Sequence, residues 1–276
     1  MDLLAESLKF ERNSLLKRGL NRLIVNPLAN YLPSGLLRGL LRFGKSELAA
    51  ANWGDPGGWR SMVISYDGNP RQVADKILVS AGTMSKALRN RRHLAAAIIA
   101  DLIDKAQRQP AHVLCLGAGP GCIISDALGK ATASATATLI DLSSDAFVYG
   151  QELAQKLGIG ARMRFIVGDA RDIDKLLDRP VDVVKLLGIC EYLTDEQISN
   201  IIGAVAKVMP QGSAIVTNSL SRAHGTDRFF RRVFGLHMEH RDVRHLQKLM
   251  APAGFGNFSV VGEPLGVYDV MVGWKT

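Results

Sequence analysis

Beyond Pro110 the sequence alternates short apolar runs with helix-patterned stretches, and this alternation restricts the fold more than any other feature. Apolar runs fall at 112–116, 137–141, 163–167, 181–186 and 213–218. Periodicity predicts helices over about 121–130, 143–157, 195–209 and 241–252. Strands that alternate with helices predict an α/β architecture, a mostly parallel sheet covered on both faces. Two more strands are expected at the end, 258–261 and 268–274, joined by Gly262-Glu263-Pro264-Leu265-Gly266. That link is too short for a parallel crossover, so an antiparallel C-terminal edge is expected on a sheet of seven strands.

The first ~110 residues have a different texture and read as mostly helical. Leu15, Leu16, Leu20 and Leu23 recur at helical spacing, as do Leu36, Leu37, Leu40 and Leu41, each set interleaved with basic residues. Asn26-Pro27 and Pro33-Ser34-Gly35 read as breakers, and 52–59 as a loop rich in turn formers. A long helix or helix pair is expected from about 71 to 106, its second part capped by Thr83 or Ser85. The expected division is a helical N-terminal extension or lid over 1–108 and a sheet domain over 109–276.

Hydrophobic residues make up 47% of the chain, which excludes global disorder. No apolar run approaches the ~20 residues that span a bilayer. Residues Met1 to Glu6 carry early acids and no signal pattern, so a cytoplasmic location is expected. Cys115, Cys122 and Cys190 are odd in number and lack metal spacing; they read as small buried hydrophobes, and no metal is expected. The net charge is +8, and residues 1–45 hold eight basic against three acidic residues, or +5. Such an arm suits an anionic substrate, an acidic carrier protein, a lipid surface or nucleic acid, or it is merely solvated.

The run His112-Val113-Leu114-Cys115-Leu116 ends in Gly117-Ala118-Gly119-Pro120-Gly121, after which a helix begins. Glycines allow the sharp turn and a close ligand approach, and the helix N-terminus adds unpaired N–H groups. The dinucleotide fingerprint G-x-G-x-x-G would need a third glycine where Cys122 stands. The observed G-x-G-x-G resembles the first motif of class I S-adenosylmethionine-dependent methyltransferases. Asp141, 20 residues after Gly121, ends the next strand, where a carboxylate accepts hydrogen bonds from both ribose hydroxyls; capping of the following helix is the plainer alternative.

The resemblance extends over about 111–274 with the motifs in family order. It implies a Rossmann-like methyltransferase sheet with S-adenosylmethionine as cofactor. Gly117, Ala118, Gly119, Gly121, Asp141 and Leu142 would bind it, with Asp169 facing the adenine amino group, Ala170 flanking the ring and Gly188 in the loop after strand four. The turn Met209-Pro210-Gln211-Gly212 resembles the breaker before strand five. One departure stands out: the acid usual just before the first glycine is replaced by Leu116. Arg89, Arg91 and Arg92 lie where some relatives bind the methionine carboxylate, although an exposed basic face is the commoner reason for such a cluster.

Candidate catalytic residues fall where the family builds acceptor contacts: Glu191 and Tyr192 after strand four, and His224 after strand five. His237 and His240, three apart, are expected to share a helix face without a third metal ligand. The sequence Gly188-Ile189-Cys190-Glu191 lacks the Asn/Asp-Pro-Pro-aromatic motif of amino-directed nucleic-acid methyltransferases, and basic and aromatic residues are not interleaved. The expected activity is methyl transfer to an oxygen or nitrogen of a small-molecule or lipid-like acceptor, held between the N-terminal helices and the loops after strands four and five. Nucleic acid is disfavoured as a partner. Peripheral membrane contact through the basic helices is open, and the oligomeric state is not readable. Two alternatives also stay open: RNA or protein methylation, and aminopropyl transfer of the nicotianamine synthase type.

Overall fold

The computed structural model describes residues 6–276; of the opening stretch, Met1 to Ala5 lie outside the described residues. Strands β1 (Ala111–Leu116), β2 (Ala135–Asp141), β3 (Met163–Val167), β4 (Val183–Leu186), β5 (Ala214–Asn218), β6 (Phe255–Gly262) and β7 (Asp269–Lys275) form one sheet ordered β3-β2-β1-β4-β5-β7-β6. The first five are parallel, and β7 runs antiparallel between β5 and β6. The seven-stranded α/β sheet and its antiparallel edge are as expected. β6 begins three residues earlier than its apolar run indicates, because an irregularity between Gly256 and Ser259 carries the chain through Asn257 at φ 50°.

Strand order reverses beside β1. The chain steps outward from β1 to β2 and β3, then returns to lay β4 on the other side of β1. The turns that follow β1 and β4 therefore lead away in opposite directions and leave a crevice at their C-terminal ends. β1, β4 and β5 are buried at every position, as strands covered on both faces must be.

Among the described residues, the α-helices of six residues or more are α1 (Leu15–Leu20), α2 (Asn26–Tyr31), α3 (Ser34–Phe43), α4 (Glu47–Gly54), α5 (Trp59–Asp67), α6 (Thr83–Asp104), α7 (Cys122–Lys130), α8 (Ser144–Lys156), α9 (Asp195–Val208) and α10 (Val243–Met250). Leu94, Ile98 and Ile99 of α6 join Ile124 of α7 and Phe147 of α8 in one core cluster with Val113 and Leu139. Ile198 and Ile201 of α9 join Leu246 of α10 in a second, with Leu114 and Ile215. Alternate residues of the strands thus feed two cores. The start of α9 is fixed by a reciprocal capping box between Thr194 and Gln197.

A third cluster ties Leu41 of α3 and Leu88 of α6 to Phe229, Phe234 and Met238 of the segment after β5. The helical N-terminal part therefore shares a core with a segment more than 140 residues later.

Three local expectations are corrected. α6 is preceded by Gly82 without a side-chain cap: Thr83 Oγ1 accepts from Asn13 and Asn21, and Ser85 donates to the Leu78 carbonyl. The stretch 52–59 is only half a loop: Asp55–Gly58 joins α4 to α5, and the residues on either side are helical. His237 and His240 share no helix face, because residues 235–242 between the two helical stretches carry no helix.

Candidate active site

Three positive φ angles shape the turn after β1: Gly117 at 55°, Gly119 at 52° and Gly121 at 77°. A Cβ at Gly117 would run into Ile189, and one at Gly121 into Leu139, so neither position has room for a side chain. Asp141, at the tip of β2, closes the turn. Its Oδ2 accepts from the Gly119 N–H at 2.7 Å and its Oδ1 from the Ser143 N–H at 2.9 Å. Helix α8 is capped by Ser143, whose hydroxyl accepts from Ala146 N–H, so Asp141 is not needed as a cap. Each carboxylate oxygen keeps a lone pair for a ligand hydroxyl.

The turn lines a cavity of about 220 Å³. Of the nine residues expected at the cofactor, Gly117, Ala118, Gly119, Gly121, Asp141 and Gly188 line it. Leu142 is exposed and lies outside the enclosed part, as do Asp169 and Ala170. Asp169 still adjoins the turn through its neighbour, because Gly168 N–H donates to the Asp141 carbonyl at 3.0 Å. The Arg171 side chain and backbone N–H, both bonded to Asp169, hold its carboxyl below the usual range.

Several cavity residues escape sequence reasoning. Trp59, Met62 and Tyr66 come from α5, and Asp55 and Gly57 from the turn before it. Lys185 is a buried ammonium in the middle of β4, donating to the carbonyls of Leu187 at 2.8 Å and Gly117 at 3.2 Å. It ties the ends of β1 and β4 together beneath the turn. The available signal was a single lysine inside an otherwise apolar strand. The cavity lining thus holds two carboxylates, Asp55 and Asp141, and two cations, Arg91 and Lys185.

The three arginines of α6 are not an exposed basic face. Arg89 pairs with Glu11 and donates to the carbonyls of Ser65 and Val79; Arg92 pairs with Asp126 at 2.7 Å. Arg91 is buried and reaches the cavity. Its Nη1 lies 3.1 Å from Glu191 Oε1 and 3.3 Å from Asn218 Oδ1, and its guanidinium stands 4.4 Å from the Tyr268 ring centroid. Asn218 completes the network by donating to Glu191 at 3.0 Å and accepting from Gly188 N–H at 3.2 Å. Glu191 is itself buried and lines neither cavity.

A second cavity, of about 1280 Å³, lies between helices α1–α6 and the segment after β5. Its walls are overwhelmingly apolar, with Leu37, Leu41, Leu78, Phe229 and Phe234 among them. It meets the first cavity at Gly57, Met62 and Tyr192, which line both. Tyr192 keeps 45% of its surface uncovered and lines both cavities. Burial, reinforced by Glu191, pushes its phenol above the ordinary tyrosine range, so the proton stays on at neutral pH. His224 also lines the large cavity. Burial, with the neighbouring His240 ring, pushes its pKa down to about 4 and keeps it neutral. Its Nδ1 lies 3.2 Å from the Thr226 nitrogen and 3.0 Å from the Thr226 hydroxyl, and its Nε2 is buried without a partner among the described residues. All three cysteines are buried, and Cys115 is pushed up to about 11 by burial, so none is a ready nucleophile. Among the described residues no group of three or more His, Cys, Asp or Glu could hold a metal ion.

Two outcomes are expected. Asp141→Ala removes the acceptor that fixes Gly119 and lines the cavity. It should weaken S-adenosylhomocysteine binding in calorimetry by roughly 10–100-fold, as for lost charge-assisted hydrogen bonds; an unchanged affinity takes Asp141 out of the site. Glu191→Gln leaves the Arg91 guanidinium without its counter-charge and should cost about 3–5 kcal/mol in urea unfolding. The double change Arg91→Met with Glu191→Leu should recover most of that loss. A Glu191→Gln protein as stable as the parent would mean that the pair does not hold the site.

Comparison with known proteins agrees with this geometry. Residues 113–212 match the family model described as a methyltransferase domain. No curated protein sequence matches the chain. Among solved structures, a possible exported protein from Bordetella parapertussis superposes with a TM-score of 0.65 at 15% identity, covering 79% of this chain and 78% of that one. Magnesium protoporphyrin IX methyltransferase from Synechocystis PCC 6803, with bound S-adenosylhomocysteine, gives 0.59 at 14% identity, covering 87% and 99%. An O-methyltransferase family protein from Burkholderia thailandensis gives 0.55 at 17%, covering 96% and 77%. Residues 113–212 thus match a methyltransferase domain, and the seven-stranded sheet has the fold of the solved methyltransferases named above.

Proposed function

We propose that the chain methylates an oxygen or nitrogen of a small, largely apolar or lipid-like molecule seated in the large cavity. One observation carries this reading: an apolar cavity of about 1280 Å³ meets the glycine turn at Gly57, Met62 and Tyr192. A pocket of that size and character suits a hydrophobic small molecule better than a base or a peptide side chain. Of the neighbours named above, the O-methyltransferase family protein supports an oxygen as acceptor, and the magnesium protoporphyrin IX methyltransferase supports a small-molecule acceptor. In this reading residues 1–108 act as lid and 109–276 as the catalytic domain.

The chain's residues fit the donor. The side-chain-free turn at Gly117 and Gly121 accommodates its body, and Asp141 takes the ribose hydroxyls. Leu142, Asp169 and Ala170 edge the adenine side in the open part of the crevice. Leu116 offers no acid to the methionine ammonium; Asp55 from the N-terminal turn supplies one, and Arg91 and Lys185 offer cations to the carboxylate. Bound there, S-adenosylmethionine supplies a methyl group already activated by its sulfonium. What the protein adds is an acceptor held in line and shielded from water, which accounts for much of the acceleration available to such a reaction.

Tyr192 stands where the two cavities meet and presents a phenol O–H, so its role is to orient the acceptor's polar atom by donating to it. His224 lines the large cavity with its Nδ1 engaged by Thr226 and its Nε2 buried; as a base it would first have to give up that contact. Glu191 is a positioning residue that acts through Arg91.

Turnover should release S-adenosylhomocysteine; release of methylthioadenosine would instead establish aminopropyl transfer. Leu37→Trp and Leu78→Trp, which fill the cavity away from the turn, should raise the acceptor KM about tenfold or more and leave S-adenosylhomocysteine affinity intact. Unchanged acceptor kinetics in both variants would place the acceptor elsewhere, and salt-dependent binding of RNA would favour a nucleic-acid acceptor.

A further inference from the structure

Helices α1 to α3 expose what folded proteins usually cover. Eleven of the exposed large apolar side chains fall within residues 15–43, among them Leu15 at 84% exposure, Leu16 at 85%, Leu23 at 75% and Phe43 at 90%. The same stretch is strongly basic. Residues 14–45 contain Lys17, Arg18, Arg22, Arg38, Arg42 and Lys45 and no Asp or Glu, a net +6. Arg18, Arg22, Arg42 and Lys45 are exposed, whereas Arg38 is bound to the carbonyls of Val233 and Arg232. Leu16, Leu20, Leu28, Leu40 and Phe43 are both exposed and part of the large cavity's lining, so the cavity opens on this face.

We infer that α1 to α3 form a docking surface for an anionic lipid bilayer. Basic residues interleaved with exposed leucines and a phenylalanine match a membrane interface, where anionic headgroups lie directly above an apolar layer. An acidic protein would answer the charges but would leave most of the scattered apolar side chains in water. A second copy of this chain would bring +6 against +6. The contact is peripheral, because no helix among the described residues is long and apolar enough to cross a membrane. Seated this way, the chain turns the mouth of its apolar cavity towards the lipid. The surface goes beyond the methyl-transfer reading and stands independently of it.

The test is flotation of the full chain with vesicles of phosphatidylcholine alone and of phosphatidylcholine containing about one third phosphatidylglycerol. The protein should float with the anionic vesicles, about tenfold less with the neutral ones, and should be released by ~0.5 M salt once the charges are screened. Leu15 and Leu23, and Arg18 and Arg22, lie outside both cavities. Leu15→Asp with Leu23→Asp, and separately Arg18→Glu with Arg22→Glu, should each lower flotation about tenfold. Unaltered S-adenosylhomocysteine affinity in the same variants shows that they are folded. Absence of flotation, equal flotation with neutral vesicles, or variants that float like the parent each overturn the proposal. So does a dimer in sedimentation that Leu15→Asp with Leu23→Asp dissociates while no flotation occurs, which would assign the face to a second copy. Loss of cofactor binding in the parent would sink the methyl-transfer reading and leave the flotation result standing.

Discussion

The guanidinium of Arg91 is buried, always charged and unable to shed its proton, so the structure around it has to supply partners. Those partners come from parts of the chain that are far apart in sequence. Glu191 belongs to the loop after β4, Asn218 to the end of β5, and Tyr268 to the approach to β7. Meeting one cation from α6, they fix where the helical N-terminal part sits on the sheet. Asn218 also receives the Gly188 N–H, so the same network sets the wall opposite the glycine turn. Neighbouring Asn90 extends the tie by donating to the buried Glu263, whose carboxylate organises the β6–β7 link. The walls of the small cavity are consequences of this anchoring.

Chemistry then divides between two compartments. The small one is polar where the chain turns tightly and holds opposite charges from Asp55, Asp141, Arg91 and Lys185. The large one offers mainly hydrocarbon and opens among exposed leucines. Tyr192 belongs to both. A methyl group handed across such a boundary leaves a polar cofactor and meets an apolar acceptor, with water displaced by the helices that form the second compartment.

Much of the sheet domain was legible because its signals are local. A buried strand ending in three glycines, an acid at the next strand end and a helix opened by Thr194 each declare themselves within a few residues. The seven strands and the antiparallel edge followed from the same periodicities. The N-terminal contribution to the site was not legible. Trp59, Met62 and Asp55 reach the cavity through the packing of α5 and its preceding turn, which no local pattern reports. Arg89, Arg91 and Arg92 looked like a solvated face because their carboxylate partners lie 34 to 100 residues away. His224 read as a base by residue type, whereas its ring is buried and its Nδ1 is engaged by Thr226. Lys185 could have been found, since a lone cation in a buried strand has to be bonded to something.

The central claim is that the turn from Gly117 to Gly121, closed by Asp141, is a methyl-donor site and not a dinucleotide site. Calorimetric titration of the full chain with S-adenosylhomocysteine and, separately, with NADH tests it most directly. The account predicts saturable one-to-one binding of S-adenosylhomocysteine and none of NADH. Tighter binding of NADH would contradict it.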